Sequence, residues 1–151
     1  MKRETKRESF IYEGLGFPIR LINVPMKKFF GEWAMDINFN ALQKIVLHML
    51  ARKPTPLSNN ELRFIIGYLE LSIRKFANLF GVTHVAVLKW LNEEAKMNLN
   101  TEICLRLYLL DYLHVTDQEF RKLYVKIREK HLVNTQREYN PLEIDIDKIA
   151  C

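Results

Sequence analysis

The sequence predicts a mainly α fold, in which a five-helix domain follows a small lobe made of a β-hairpin and a helix. Apolar residues recur at the helical spacing i, i+3, i+4 from position 40 onward, whereas glycine, proline and β-branched residues are concentrated before position 38. The chain has 151 residues, of which 48% are hydrophobic and 27% charged. This composition excludes a globally disordered chain, and the length allows one full domain or two small ones.

The first third of the chain is predicted to hold a tail and the small lobe. Residues 1–9 alternate in charge without apolar anchors, which predicts a disordered basic tail. Within residues 10–53, Ile19–Val24 and Trp33–Ile37 flank the turn-like pair Gly31-Glu32, which predicts a hairpin. A helix follows from an N-cap at Asn40, with an apolar face formed by Leu42, Ile45, Val46, Met49 and Leu50. Pro54 and Pro56 then separate the two lobes.

Residues 57–115 carry the start signals of successive helices. The first opens with the capping box Ser58-Asn59-Asn60-Glu61, in which the serine hydroxyl and the glutamate carboxylate satisfy free backbone N–H groups. Further helices begin at Ser72 and Thr83. The segment Thr101–Leu113 is apolar nearly all round, so we expect other elements to cover this helix.

Residues 116–151 are predicted to form a C-terminal helix and a tail. The capping box Thr116-Asp117-Gln118-Glu119 opens a helix whose apolar face is formed by Phe120, Leu123, Tyr124 and Ile127. This face is either intramolecular core or the seam of a dimer. Residues 140–147 alternate apolar and acidic after a proline, which fits either an added edge strand or a frayed tail.

The sequence offers no candidate for catalysis, a metal or a cofactor. The four histidines lack the spacing of metal ligands, and the two cysteines, Cys104 and Cys151, form no CxxC. No apolar stretch follows the basic N-terminus, and the longest nearly apolar run, Ile103–Leu113, is too short to span a membrane. We therefore expect a cytoplasmic protein that is not an enzyme. The net charge of +5 favours a polyanionic partner.

The segment Leu71–Trp90 predicts two helices joined by a tight turn. Ala77 is small enough for close crossing of the second helix, Gly81 allows a positive φ in the turn, and Val82 and Val87 fill the inner angle. Thr83 caps the second helix. The free N–H groups at the start of that helix favour a phosphate, and the residues after it are placed to enter a major groove.

This segment resembles the Cro/cI-like, or Xre-type, helix-turn-helix repressors, whose lambda-repressor-like domain is the fold that the likeness implies. The matching residues are Leu71-Ser72, Phe76-Ala77, Phe80-Gly81-Val82-Thr83, Val87 and Lys89-Trp90. Residues 60–69 and 12–19 resemble antitoxin-type regulators that join a zinc-ribbon lobe to such a motif. Lys27 and Phe30 stand where zinc-binding thiolates would be needed, so the resemblance implies a lobe without zinc.

The resemblance implies a sequence-specific transcriptional regulator that binds double-stranded DNA as a homodimer, with an autoregulating antitoxin and its cognate toxin as one form of that function. Residues expected in the major groove are Thr83, His84, Val85, Ala86, Leu88 and Lys89. Residues expected at phosphates are Ser72, Arg74, Lys75 and Asn92. The alternative is a protein-interaction module that has lost DNA reading, because the helix presents Val85, Ala86 and Leu88 but no Arg, Asn or Gln for bidentate base contacts.

Overall fold

The computed structural model describes residues 4–114, 118, 122, 125 and 141–149. Residues 4–114 and 141–149 form five α-helices, four β-strands and one 3-10 turn. In chain order these are β1 Thr5–Tyr12, β2 Ile19–Phe29, β3 Glu32–Met35, α1 Phe39–Arg52, α2 Asn59–Tyr68, α3 Ile73–Phe80, α4 His84–Leu91, α5 Leu99–Tyr112, β4 Leu142–Asp145 and the 3-10 turn Ile146–Lys148.

The prediction of a mainly α class is wrong, because a four-stranded mixed sheet accompanies the five helices and makes the class α/β. The N-terminal hairpin is confirmed as β2 and β3. Strand β1 was not predicted, because the charge pattern of residues 1–9 is typical of a disordered tail. Residues 5–9 belong to that strand, which lies at a sheet edge and exposes most of its side chains, so its charges remain solvated.

Strand β2 is the centre of the sheet. It pairs antiparallel with β1 along one side, whereas its other side pairs first with β4, in parallel, and then with β3. Strand β2 has a bulge in its pairing with β1, at the point where its other side changes partner. Glu8 pairs with Val24 and Phe10 with Leu21, so one residue of β1 lies opposite two residues of β2. Asn23 occupies the bulge with φ of 55°, and its side-chain amide donates to the Asp145 carboxylate at 3.2 Å. The bulge therefore also holds the end of β4.

The chain divides into two compact units, residues 1–45 with 139–151 and residues 46–138. The boundary lies inside α1 rather than at the prolines that suggested a linker. Residues 142–145 pair with β2, so the sequence alternative of a strand, rather than a frayed tail, is the one observed. The buried apolar residues of the first unit are Phe17, Ile19, Leu21, Val24, Met26, Leu42 and Ile144.

The second unit contains helices α2 to α5 around an apolar core. Its largest fully buried apolar side chains are Leu47, Leu50, Leu62, Ile65, Phe76, Leu105, Leu109 and Leu110. The capping box of α2 is confirmed: Ser58 accepts from the Glu61 N–H, and Glu61 accepts from the Ser58 N–H. The predicted cap of α1 is wrong by two residues, because Asn38 rather than Asn40 accepts at the start of this helix. Helix α5 begins at Leu99 with Asn98 as its cap, two residues before the predicted start at Thr101. The predicted face Phe120, Leu123, Tyr124 and Ile127 lies outside the described residues.

A buried ion pair joins α5 to the chain before α2. Glu102 and Arg106 lie one turn apart, with 2.7 Å between Glu102 Oε1 and Arg106 Nη2, and both side chains are almost completely buried. The Arg106 guanidinium also donates to the carbonyls of Leu50, Lys53 and Thr55. The Glu102 carboxylate accepts from the Leu57 N–H at 2.8 Å. These bonds satisfy backbone groups that the proline-containing segment leaves without helical partners.

Candidate nucleic-acid interface

Helix α3 begins at a serine cap, as the sequence predicts. The Ser72 side chain accepts from the Lys75 N–H at 3.1 Å, and Ser72 has the extended backbone of an N-cap. Phe76 and Ala77 are buried, whereas Arg74 and Lys75 are exposed on the first turn. Two cations therefore lie on the solvent side of this helix, next to its free N–H groups.

The turn after α3 has the geometry expected of a glycine cap. Gly81 has φ of 66° and ψ of 33°, which is the left-handed backbone region that residues other than glycine adopt only at an energetic cost. The Val82 N–H donates to the Ala77 carbonyl at 2.9 Å and closes the end of α3. Three residues separate α3 from α4, and the last of them, Thr83, caps α4 by accepting from the Ala86 N–H at 3.1 Å.

Helix α4 separates an inner face from an outer face. Val87, Trp90 and Leu91 are buried. Residues 85, 88, 89 and 92 follow the i, i+3, i+4, i+7 spacing of one face, and all four are exposed. The structure thus brings together Val85, Leu88, Lys89 and Asn92 among the predicted contact residues. Thr83 is exposed at the cap, while His84 and Ala86 are half-buried beside the outer face.

Two residues of α2, which were not predicted to belong to the site, hold the end of α4. The Asn59 side-chain amide donates to the Leu91 carbonyl at 3.2 Å, and the Arg63 guanidinium donates to the same carbonyl at 3.1 Å. Arg63 also donates to Oδ1 of Asn92, the C-cap of α4, at 3.4 Å. Asn92 therefore has a structural role besides its predicted phosphate contact. The i, i+4 spacing of Asn59 and Arg63 puts both on one face of α2, but their target is an element 28 or more residues away.

The charge of this region is balanced. Residues 57–114 contain six lysines and arginines and six acidic residues. Arg74, Lys75 and Lys89 are exposed on α3 and α4, and the exposed Glu93 and Glu94 directly follow α4. A phosphate backbone would meet three cations per copy, so the electrostatic part of any DNA affinity is expected to be modest.

Within the part of the chain that the structure describes, no three histidine, cysteine or acidic side chains form a group able to hold a metal ion. Lys27, at one of the positions where a thiolate would be needed, instead pairs with Asp36 at 2.9 Å. None of the described helices is long and apolar enough to cross a membrane.

No protein-family model matches the chain, and neither a characterised protein nor a solved structure shows significant similarity to it. What the described site offers is a capped helix whose outer face combines apolar side chains with one lysine. Such a face can contact thymine methyl groups and one hydrogen-bond acceptor per copy.

Proposed function

We propose that this protein is a DNA-binding transcriptional regulator that uses α4 as its recognition helix. The observation that carries the proposal is the continuous arrangement of α3, the left-handed Gly81 turn and α4, with serine and threonine caps at the two helix starts. This arrangement places α4 with an exposed outer face, as a helix in a major groove requires. A cytoplasmic location goes with this proposal.

In the proposed complex the outer face of α4 contacts bases and the start of α3 contacts the backbone. Lys89 donates to a base or phosphate acceptor, while Val85 and Leu88 pack on thymine methyl groups. Arg74 and Lys75 neutralise phosphates and fix the register of the protein without reading sequence. One copy reads half a site, so two copies bind half-sites about one helical turn apart. Repression of its own operon as an antitoxin is one form of this function.

Fluorescence anisotropy tests the proposal with the full chain, DNA from the protein's own promoter and a scrambled duplex, each at two salt concentrations. The proposal predicts tighter binding to the promoter, with an affinity that falls as salt rises in proportion to about three phosphate contacts per copy. Lys89→Ala should remove the preference for the promoter. Lys96→Ala is the control, because it removes another exposed lysine, which lies outside α4. Equal and weak binding to both duplexes would overturn the proposal.

The second candidate function is a protein-interaction module. Val85 and Leu88 are 49% and 39% exposed on the outer face of α4, and the balanced charge of residues 57–114 gives little attraction for a polyanion. In this case the face binds an apolar groove of another protein, including a toxin, and salt has little effect on affinity. The same anisotropy experiment separates the two functions.

A further inference from the structure

The tip of the β2–β3 hairpin contains an aromatic residue that the turn itself does not explain. Phe29 pairs with Glu32, so Phe30 and Gly31 form a two-residue loop. Both have positive φ, 50° and 83°, as in a type I′ turn. Asparagine is the residue usually found at the first of these positions, whereas a bulky aromatic residue is disfavoured there. A residue that is unfavourable for the turn and remains in it points to a role outside the turn.

Three exposed aromatic side chains surround the end of the hairpin, and this end is here called the hairpin tip and defined as Phe29, Phe30 and Trp33. Their exposed fractions are 52%, 106% and 37%. Trp33 pairs with Lys28, so Trp33 lies on one face of the hairpin and Phe29 on the other, with Phe30 projecting from the end. Exposed apolar surface of this kind marks an interaction site more often than an isolated apolar side chain does.

The charges beside the hairpin tip do not favour a polyanion, because they are of both signs. Lys6 lies 4.2 Å and Lys28 5.9 Å from the centre of the Trp33 ring. Each of these lysines is already paired with a carboxylate. Lys6 pairs with Glu8 of β1 at 2.6 Å, and Lys28 pairs with Glu4, the residue before β1, at 3.3 Å. A nucleic acid or an anionic membrane would have to displace these carboxylates.

An apolar centre beside equal numbers of positive and negative side chains is instead complementary to a second copy of itself. In a two-fold dimer the same patch meets its own image, so it needs an apolar centre and charges of both signs. We propose that the hairpin tip is the surface through which two copies of this chain pair, with Phe30 of each copy at the centre. This inference rests on the proposed function for its biological role, because a two-fold regulator needs a pairing surface, but the pairing is measured without DNA.

The size of the hairpin tip sets the expected strength of pairing. A fully buried aromatic side chain covers roughly 150–250 Å², so Phe30 and the exposed part of one flanking ring offer about a quarter to a half of the roughly 800 Å² per partner in a standard interface. We therefore expect a reversible dimer with a dissociation constant of about 1–100 µM.

Sedimentation velocity of the full chain between about 1 and 300 µM tests this inference. The decisive variant is Phe30→Asn, which removes the ring and supplies the residue that a type I′ turn prefers, so the hairpin is retained. We expect the variant to dimerise at least about thirtyfold more weakly. Phe39→Asn is the matched control, because it changes a 42% exposed phenylalanine on α1. The control should dimerise like the wild type.

Acrylamide quenching of tryptophan fluorescence reports whether the hairpin tip itself is covered. The chain has two tryptophans, and Trp90 is already buried with 8% exposure, so a fall in quenching as the concentration rises reports Trp33. A monomeric wild type over the whole range, a dimer insensitive to Phe30→Asn, or unchanged Trp33 quenching would each overturn the inference. The inference would also be overturned if Phe30→Asn lost affinity for DNA but sedimented like the wild type. A dimer without DNA binding would reject the proposed function alone.

Discussion

Replacing Arg106 with methionine should destabilise the second unit more than any change on its surface. The guanidinium is 1% exposed, and its bonds include those to the Thr55 carbonyl and to the Glu102 carboxylate, both at 2.7 Å. Arg106→Met fills a similar volume but takes the Arg106 cation away from the buried Glu102 carboxylate and this donor away from three carbonyls. Removing one partner of a buried ion pair costs about 3–5 kcal/mol, a large part of the roughly 5–15 kcal/mol that stabilises a whole domain.

The double variant Glu102→Gln, Arg106→Met separates the charge from the packing. In the wild type the Leu57 N–H donates to the Glu102 carboxylate at 2.8 Å. Glutamine keeps an oxygen that can accept this hydrogen bond, but it carries no charge. We therefore expect the double variant to regain about 2 kcal/mol relative to the single one, because it removes the buried charge that has lost its Arg106 partner.

Urea unfolding monitored by Trp90 fluorescence measures both values. Trp33→Phe is the background for every protein compared, so that the signal comes from the second unit alone. The free energy of unfolding is then read at pH 7 from the midpoint and slope of each transition. A loss below about 1 kcal/mol for Arg106→Met would contradict the assigned role of the pair, since ordinary surface changes lie within that range.

Three further predictions concern the turn, a tyrosine and the phosphate contacts. Gly81→Ala should lower the free energy of unfolding in urea by about 1–2 kcal/mol, because φ is 66° at this position and the added Cβ meets no atom within 4 Å. Gly81→Asn should lower it by less, and equal losses would reject the backbone explanation. Burial, and then the neighbouring Tyr112, raise the pKa of Tyr68, so its contribution to stability is complete below pH 10 and is lost as the pH rises through the folded pKa. Tyr68→Phe should therefore flatten the fall of the unfolding midpoint between pH 9 and pH 11, and an unchanged fall would contradict this. Lys75→Ala should reduce the salt slope of DNA binding by about one unit per copy on every duplex, whereas an unchanged slope would remove Lys75 from the phosphate contacts.

Features that depend on a few neighbouring residues could be predicted from the sequence. The caps at Ser58, Ser72 and Thr83 each bond a backbone N–H three residues along the chain, and the Gly81 turn depends on one φ angle. The hairpin was predictable for the same reason, since its loop has two residues. These local signals fix the start and end of α3 and α4, and with them the outer face of the candidate site.

Features that depend on distant partners could not be predicted. Strand β4 pairs in parallel with β2 more than 100 residues earlier, and no turn signal links the two. Strand β1 carries charges that are typical of a tail, and only its pairing with β2 makes it a strand. Arg63 is an ordinary surface arginine in the sequence, yet it holds the end of α4. From the sequence, Phe30 was notable only because it stands where a zinc-binding cysteine would be needed. The structure places it at the exposed end of the hairpin.

Selection from a pool of DNA duplexes with a random central region tests the central claim most directly, because it requires no knowledge of the operator. The full chain would be used at low salt, with the Lys89→Ala and Lys96→Ala variants in parallel. A DNA-reading regulator enriches a motif with two inverted half-sites about one helical turn apart, and loses this motif with Lys89→Ala only. Recovery of unenriched duplexes, with all three proteins giving the same random sequences, would contradict the claim and favour the protein-interaction module.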